Sequence, residues 1–501
     1  MQLPIQIDSR SRQTLQAQIA EQIQALIRHG QLPLGSAVPG SRELSEQLHV
    51  SRNTIAGAYG HLIEEGYLQT RRAVGTFVCD TLPEDAIAAQ PPDHLPRKPS
   101  HRRAINLPVP YTGRGLPGLH RRVDNSLTYD FAIGKTDANS FPDKTWRRLA
   151  VECLGGAATR MSEYNDPSGL PELRQLIANY LGPARGMVVS PDQILIVAGC
   201  QQGMNLAAHL FVGSRTPVVL EAPCYRGAAF LFESYGARIV PVPVDEAGIQ
   251  VGALPAHGVK LACVTPSHQF PTGATLSLDR RNALLEWAGR SGVYLLEVDY
   301  DADFRYDDSP LPSLYALDRY ACTIYISSFS HSIGPGLRLG YVVVPRDLIR
   351  AATTIKALID NGLPWLEQAV LTQFIRDGSM LHHLKRIRQT YRRRRNTLIS
   401  ALQAHFPGGQ VSGAESGSHV VWHLPPELPS AGELGEMARE HGVGVYPLSK
   451  GPVWFFEDMP ARDRMLLLGY TLLNEEQIDA AVEQLSAAVK GAPPHHAHDS
   501  G

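Results

Sequence analysis

Lysine is scarce in this chain: of 47 basic residues among 501, only Lys98, Lys135, Lys144, Lys260, Lys356, Lys385, Lys450 and Lys490 carry a primary amine on the side chain. Any chemistry that needs such an amine therefore has few candidates. Cysteine is also sparse. Cys79, Cys153, Cys200, Cys224, Cys263 and Cys322 include no C-x-x-C pair, which argues against a zinc ribbon or a disulfide frame and for reduced cytosolic thiols. No apolar stretch approaches ~18 residues, and the opening Met-Gln-Leu-Pro-Ile-Gln-Ile-Asp has no basic segment leading into an apolar run. Neither a membrane span nor a secretory leader is expected, and the expected location is cytoplasmic. The formal net charge of −2 speaks neither for nor against nucleic acid. Composition, 43% hydrophobic and 19% charged, is that of a soluble globular protein, and the length allows three or four domain-sized units. His495, His496 and His498 lie in the tail, residues 491–501, which reads as a disordered terminus rather than a metal site. No metal site is expected anywhere in the chain.

What is present begins with helical periodicity. From Leu15, the residues Ile19, Ile23, Leu26 and Ile27 recur at helical spacing, and Gly30 and Pro33 end the run. A second short helix is expected after Ser41, with Leu44 and Leu48 inward, and a third is opened by Ser51 as N-cap and runs to about Gly66. Two short helices joined by a tight turn make a helix-turn-helix, and Tyr67 to Val78 reads as a β-hairpin wing around a basic turn. In such a module the start of the second helix of the pair reaches the major groove, which here presents Ser51, Arg52, Asn53 and Thr54. Arg42 and the wing residues Arg71, Arg72 and Gly75 flank them. A plainer alternative is a helical cap whose arginines are merely solvated, since Glu21, Glu43, Glu46, Glu64 and Glu65 balance their charge.

The segments P-G-S-R-x-L-S, V-S-R-N-T and G-T-F-V, spread between about Gln13 and Val78, resemble the GntR-type winged helix. The resemblance implies a double-stranded DNA operator as partner. Where that family usually has Gly-x-Gly in the wing, this chain has Ala73-Val74-Gly75. The first 80 residues are accordingly read as the DNA-binding domain.

Residues 81–126 hold Pro91, Pro92, Pro96, Pro99, Arg102, Arg103, Arg121 and Arg122 with little to bury, and read as a semi-stiff basic linker. Its charge could meet DNA phosphates, although a solvated tether accounts for it as well. Beyond it, residues 127–490 alternate β-branched apolar runs with helical patterns. The runs are Ile194 to Val197, Val218 to Leu220, Ile239 to Val242, Leu261 to Val264, Val293 to Val298, Thr323 to Ile326 and Tyr341 to Val344. Fully apolar strands alternating with helices imply an α/β domain around a mostly parallel sheet. The basic run Lys385 to Arg395 reads as the outer face of an amphipathic helix whose inner face is Leu381, Leu384, Ile387, Tyr391 and Leu398.

One segment carries the chemistry. Ser328-Phe329-Ser330-His331, followed by Pro335-Gly336-Leu337-Arg338 and Gly340-Tyr341, resembles the cofactor-lysine segment S-F-S-K-x-x-x-P-G-L-R-x-G-Y of fold-type I aminotransferase-like proteins. Tyr164 to Gly169, Gly199 to Gln202, Ala222 to Tyr225 and Thr265 to Gly273 add to it, in the order found in the MocR subfamily of GntR regulators. In that subfamily a winged helix is fused to a fold-type I aminotransferase-like body, and the resemblance covers almost the whole chain.

The resemblance implies pyridoxal 5′-phosphate (PLP) as family cofactor. It places Gly199, Cys200, Gln201, Ser328 and Arg338 at the phosphate, Tyr225 on the ring and Tyr300 near the ring hydroxyl. A buried Arg338 in need of a partner anion is expected. It also exposes three departures. His331 stands where a lysine amine condenses with the PLP aldehyde, and imidazole cannot form that bond. Val298, in Glu297-Val298-Asp299-Tyr300-Asp301, stands where an aspartate pairs with the pyridine nitrogen. Asp299 is one residue out of register, and adjacent strand residues face opposite ways. Leu467 stands where enzymes of this fold place an arginine for the substrate carboxylate.

With these losses no catalytic residue is assigned. The expectation is a DNA-binding regulator that works as a swapped homodimer, its body sensing an unknown small-molecule effector without covalent PLP. The competing readings are a PLP-dependent aminotransferase with unusual residues, and a regulator that holds PLP noncovalently.

Overall fold

The computed structural model describes residues 3–8, 11, 13–71, 74–81, 127–301, 303–306, 312–456 and 460–491. Thr81 apart, the expected linker lies outside the described residues, as do Arg72 and, Gly491 apart, the expected tail. The chain divides into two compact units, Met1–Leu107 and Pro108–Gly501.

The first unit is a three-helix winged module. Helix α1 (Leu15–Arg28) buries Ile19, Ile23, Leu26 and Ile27, the face its spacing predicts. Helix α2 (Ser41–Leu48) ends at His49 in the left-handed region, with φ 53°, and the chain re-enters α3 (Arg52–Glu64) three residues later. Ser51 caps α3, its hydroxyl accepting the Thr54 amide at 3.1 Å. Such a cap is worth about 1 kcal/mol. Leu44, Ile55, Ala58 and Leu62 complete the core beneath α1. The wing is the antiparallel pair β1 (Leu68–Arg71) and β2 (Gly75–Val78), in register from Leu68 opposite Val78 to Arg71 opposite Gly75.

The second unit is built on an eight-stranded sheet among the described residues. Its order is Ile194–Val197, Gly340–Val343, Thr323–Ser328, Tyr294–Val298, Leu261–Val264, Pro217–Ala222, Arg238–Asp245 and Gly248–Ile249. The five strands from Thr323–Ser328 to Arg238–Asp245 pair in parallel. Gly340–Val343 runs antiparallel to both its neighbours. Strands such as Ile194–Val197 and Leu261–Val264 are buried at every position, which explains why they are apolar on both faces rather than alternating. A second sheet of four strands lies toward the C-terminus and includes His419–His423 and Met465–Gly469.

The long helix Ser379–His405 corrects the expected face of its basic run. Leu384, Ile387, Tyr391 and Leu398 are buried as predicted, but Leu381 is exposed. Arg394 and Arg395 turn inward instead of covering the outer face. Arg394 donates to the Thr471 carbonyl at 2.6 Å and to Asp137 Oδ2 at 2.7 Å, and Arg395 donates to the Ala414 carbonyl at 2.6 Å. A buried guanidinium is tolerable when its donors are used in this way. Among the described residues no helix is long and apolar enough to cross a membrane.

Candidate functional site

The parallel strands all end at one edge of the large sheet, and a cavity of about 500 Å³ opens there. This is where ligands bind in open α/β folds, because the strands' carboxyl ends and the starts of the following helices converge. The strand termini supply Val298, Ser328 and Glu221, and the C-terminal part of the unit supplies Ser418, His419 and Lys450. Cys200, Gln201, Tyr225, Tyr300, His331 and Arg338 also line it. The structure thus brings together nearly all the predicted pocket residues. Gly199 stands at its edge.

One end of the cavity gathers the residues that the resemblance places at a phosphate. Gly199 precedes the helix Cys200–Phe211 with φ 84°; the Gln202 and Gly203 amides donate to its carbonyl, and the Cys200 and Gln201 amides, at the helix start, have no intrahelical acceptor. A Cβ at Gly199 would come to 3.3 Å from Arg338 Nη2, so the glycine is what lets the guanidinium lie against the turn. Arg338 donates to the Ala198 carbonyl at 2.5 Å, and Ser328 accepts from the Ser330 amide at 3.4 Å. Arg338 is exposed in this chain, which corrects the expectation that it is buried. Burial pushes the Cys200 thiol up to about 11, so the side chain is neutral at physiological pH.

The other end does not suit PLP chemistry. Val298, 6% exposed, offers the cavity only methyl groups. The neighbouring carboxylate of Asp299 is engaged elsewhere: Arg185 Nη2 lies 2.5 Å from Asp299 Oδ2, and the Tyr325 hydroxyl donates to the same oxygen at 2.8 Å. His331 Nδ1 lies 3.2 Å from Asp301 Oδ1. The second oxygen of Asp301 accepts from the Ser418 amide at 3.1 Å and the Ser418 hydroxyl at 2.9 Å. Burial alone would raise the Asp301 carboxyl, but the nearby His331 and His268 hold it well below the usual carboxylate range. Leu467 is buried in Met465–Gly469 among Val421, Leu448 and Val453. The residues present fit a phosphate group and the face of a ring, through Tyr225; they do not fit an aldehyde needing an amine or a ring nitrogen needing a carboxylate.

Several lining residues were missed by sequence reasoning, among them three that ionise: Lys135, Lys450 and Glu221. Lys135 and Lys450 reach the cavity wall from distant segments, but their amines pair with Asp130 Oδ2 and Glu436 Oε1, each at 3.0 Å. Glu221, which accepts from the Thr265 amide at 3.1 Å and the Thr265 hydroxyl at 2.6 Å, is pushed up to about 7 by burial. A lone acid at the end of the apolar run Val218 to Leu220 was the available signal.

In the first unit, Ser51, Arg52 and Asn53 are exposed at the start of α3, with Thr54 half-buried. Arg52 Nε donates to Ser41 Oγ at 3.3 Å, which ties the starts of α2 and α3 together. Arg42 pairs with Glu46 at 3.2 Å while remaining mostly exposed. Arg71 lies over the Phe77 ring at 4.6 Å, and Gly75 takes φ 141° at the wing turn.

Comparison with known proteins accords with this division. The family model described as aminotransferase class I and II matches residues 130–485, and that of the bacterial regulatory proteins of the gntR family matches residues 15–78. The HTH-type transcriptional regulator YhdI of Bacillus subtilis is 31% identical over 485 residues, covering 96% of this chain and 97% of its own. The probable rhizopine catabolism regulatory protein MocR of Rhizobium meliloti is 29% identical over 474 residues, covering 94% and 93%. Among solved structures, the α-aminoadipate aminotransferase LysN of Thermus thermophilus, complexed with N-(5′-phosphopyridoxyl)-L-leucine, matches with a TM-score of 0.65 and 29% identity. That match covers 73% of this chain and 93% of LysN. Fold and site together define a winged-helix head joined to a fold-type I aminotransferase body. The chain belongs to the MocR-type family of GntR transcription regulators.

Proposed function

We propose that this regulator binds a double-stranded operator as a cytoplasmic homodimer, and that its body is a noncatalytic module for effector binding and dimerisation. The observation that carries the reading is His331, whose imidazole sits 3.2 Å from Asp301 at the position where the family's amine belongs. Val298 supports it, since no carboxylate faces the cavity from that strand end. An effector that prefers one arrangement of the body shifts the regulator by its differential affinity, typically by about 1–3 kcal/mol. Head exchange between subunits, the swapped arrangement, needs a long connection, and residues 81–126 supply the length.

The anion cradle of Gly199, Ser328 and Arg338 favours a second reading in which the effector is PLP or a related phosphorylated pyridine held without a covalent bond. The phosphopyridoxyl ligand of LysN supports that chemistry for the cradle. Both readings are tested by near-visible absorbance of the protein saturated with PLP, before and after borohydride. No reducible band, with or without dialysable PLP, is the expected result. A reducible band locked onto a peptide would overturn the noncatalytic reading and return the body to the aminotransferases, with Lys135 and Lys450 the amines to check.

A further inference from the structure

We infer that His268, His419 and Asp301, a buried cluster that meets the body cavity at His419, form a binding site for one late first-row divalent metal ion, such as zinc. The inference goes beyond the effector reading and does not depend on it. These three side chains come from separate segments: His268 follows the strand Leu261–Val264, Asp301 follows Tyr294–Val298, and His419 opens His419–His423. Each offers a ligand atom within 4.8 Å of the other two, and the residues are only 2%, 3% and 2% exposed for His268, Asp301 and His419. Donor atoms around one ion with bonds of about 2.1 Å lie roughly 3–4 Å apart, so small side-chain adjustments close the set.

The outer hydrogen bonds suit ligation. His268 Nε2 faces the Gly413 carbonyl and His419 Nε2 faces the Pro271 carbonyl, each at 3.4 Å. Metal-bound histidines commonly give their second ring N–H to a backbone carbonyl, which fixes the tautomer and leaves Nδ1 with the lone pair. Here both imidazoles direct Nε2 at a carbonyl, with ring centroids 4.7 Å apart, and His268 Nδ1 faces the Tyr300 hydroxyl at 3.2 Å and Asp301 Oδ2 at 3.5 Å, so an ion would displace the tyrosine contact. Ser418 donates twice to Asp301 Oδ2 and orients the carboxylate. The other oxygen, Oδ1, is buried without a hydrogen bond, since His331 Nδ1 approaches to 3.2 Å but out of line. A purely structural ion pair would account for one imidazole beside Asp301. It does not account for a second buried imidazole turned the same way.

Two imidazoles and a carboxylate select zinc, iron, cobalt or nickel over magnesium or calcium, which prefer oxygen donors. His419, Ser418 and His331 border the cavity, so an ion there keeps an entry path and an open position for a further ligand.

The test uses the full chain with His495→Ala, His496→Ala and His498→Ala, which removes the competing tail histidines. After treatment with chelator it is titrated with Co²⁺, read by visible d–d absorption, and the bound ion is then displaced with Zn²⁺. One equivalent that colours the protein and is displaced by zinc is expected, with His268→Ala and His419→Ala each weakening uptake at least about 100-fold. Circular dichroism of the metal-free variants establishes that they are folded. Should either fail to fold, X-ray absorption of the cobalt-loaded parent counts imidazoles at the metal directly. Two or three nitrogens with carboxylate oxygen support the site. No uptake by the tail-substituted parent, unchanged uptake in folded His268→Ala and His419→Ala, or an all-oxygen shell would each overturn it.

Discussion

Arg185 and Asp299 form a buried ion pair, with Nη2 2.5 Å from Oδ2, one residue beyond the point where Val298 faces the cavity. The pair explains why a carboxylate so near in sequence cannot stand in for the one that is missing: it is already the counter-ion of a buried guanidinium. Removing it with Asp299→Asn leaves Arg185 buried and uncompensated, at a cost of about 3–5 kcal/mol. Chemical denaturation checks this. An unchanged midpoint would mean that the pair is open to solvent.

On the noncatalytic reading, a lysine at position 331 and a carboxylate at position 298 together favour covalent PLP binding more than the lysine alone. His331→Lys combined with Val298→Asp is expected to give a near-visible, borohydride-reducible band with PLP, stronger than that of His331→Lys alone. The ordering of the two variants is the test, since a carboxylate reaching the ring nitrogen from position 298 adds a charge-assisted bond. Equal bands would show that position 298 does not address the ring.

On the DNA side, Arg52→Ala is expected to weaken operator binding strongly, and to lower the slope of log affinity against log salt by about 1 if the guanidinium contacts phosphate. Arg52 also bonds Ser41, so Arg52→Lys serves as control: it keeps the charge and should retain most of the salt slope. Affinity equal to wild type in the alanine variant would remove α3 as the reading helix.

Burial pushes the Glu221 carboxyl up to about 7 from an ordinary 4.5. Between those values the folded chain holds more proton than the unfolded chain. The group's contribution to stability is therefore full below the unfolded value and is lost as pH rises through about 7. Glu221→Gln, which still accepts the Thr265 amide, lacks this slope. The variant should thus gain on wild type between about pH 5 and about pH 8 in urea unfolding. A stability difference that stays constant with pH would place the carboxylate in water.

Much of this architecture was legible because it repeats local rules. Ser51 could be read as a cap from its place before Arg52-Asn53-Thr54, and Ile194 to Val197 as a buried strand from its unbroken apolar run. The departures at His331 and Val298 were visible because a single motif fixes the register of each. The rest depended on distance in sequence. Lys135 and Lys450 meet the cavity from segments 315 residues apart, and His268, Asp301 and His419 have no short spacing that would mark them as ligands. The inward turn of Arg394 and Arg395 escaped for a related reason: helical periodicity shows which residues share a face, but not that Asp137, Thr471 and Ala414 wait there with acceptors.

The cavity has walls of two origins: the strand ends of the large sheet, and a rim of Ser418, His419, Lys450, Gly451 and Pro452 from the C-terminal part of the unit. A ligand long enough to span it would press on both at once, as a wedge between two layers. Its grip on each layer sets their spacing, so a compound too short to touch the rim would bind without moving anything, and one that spans the gap would be felt at every segment the rim is joined to.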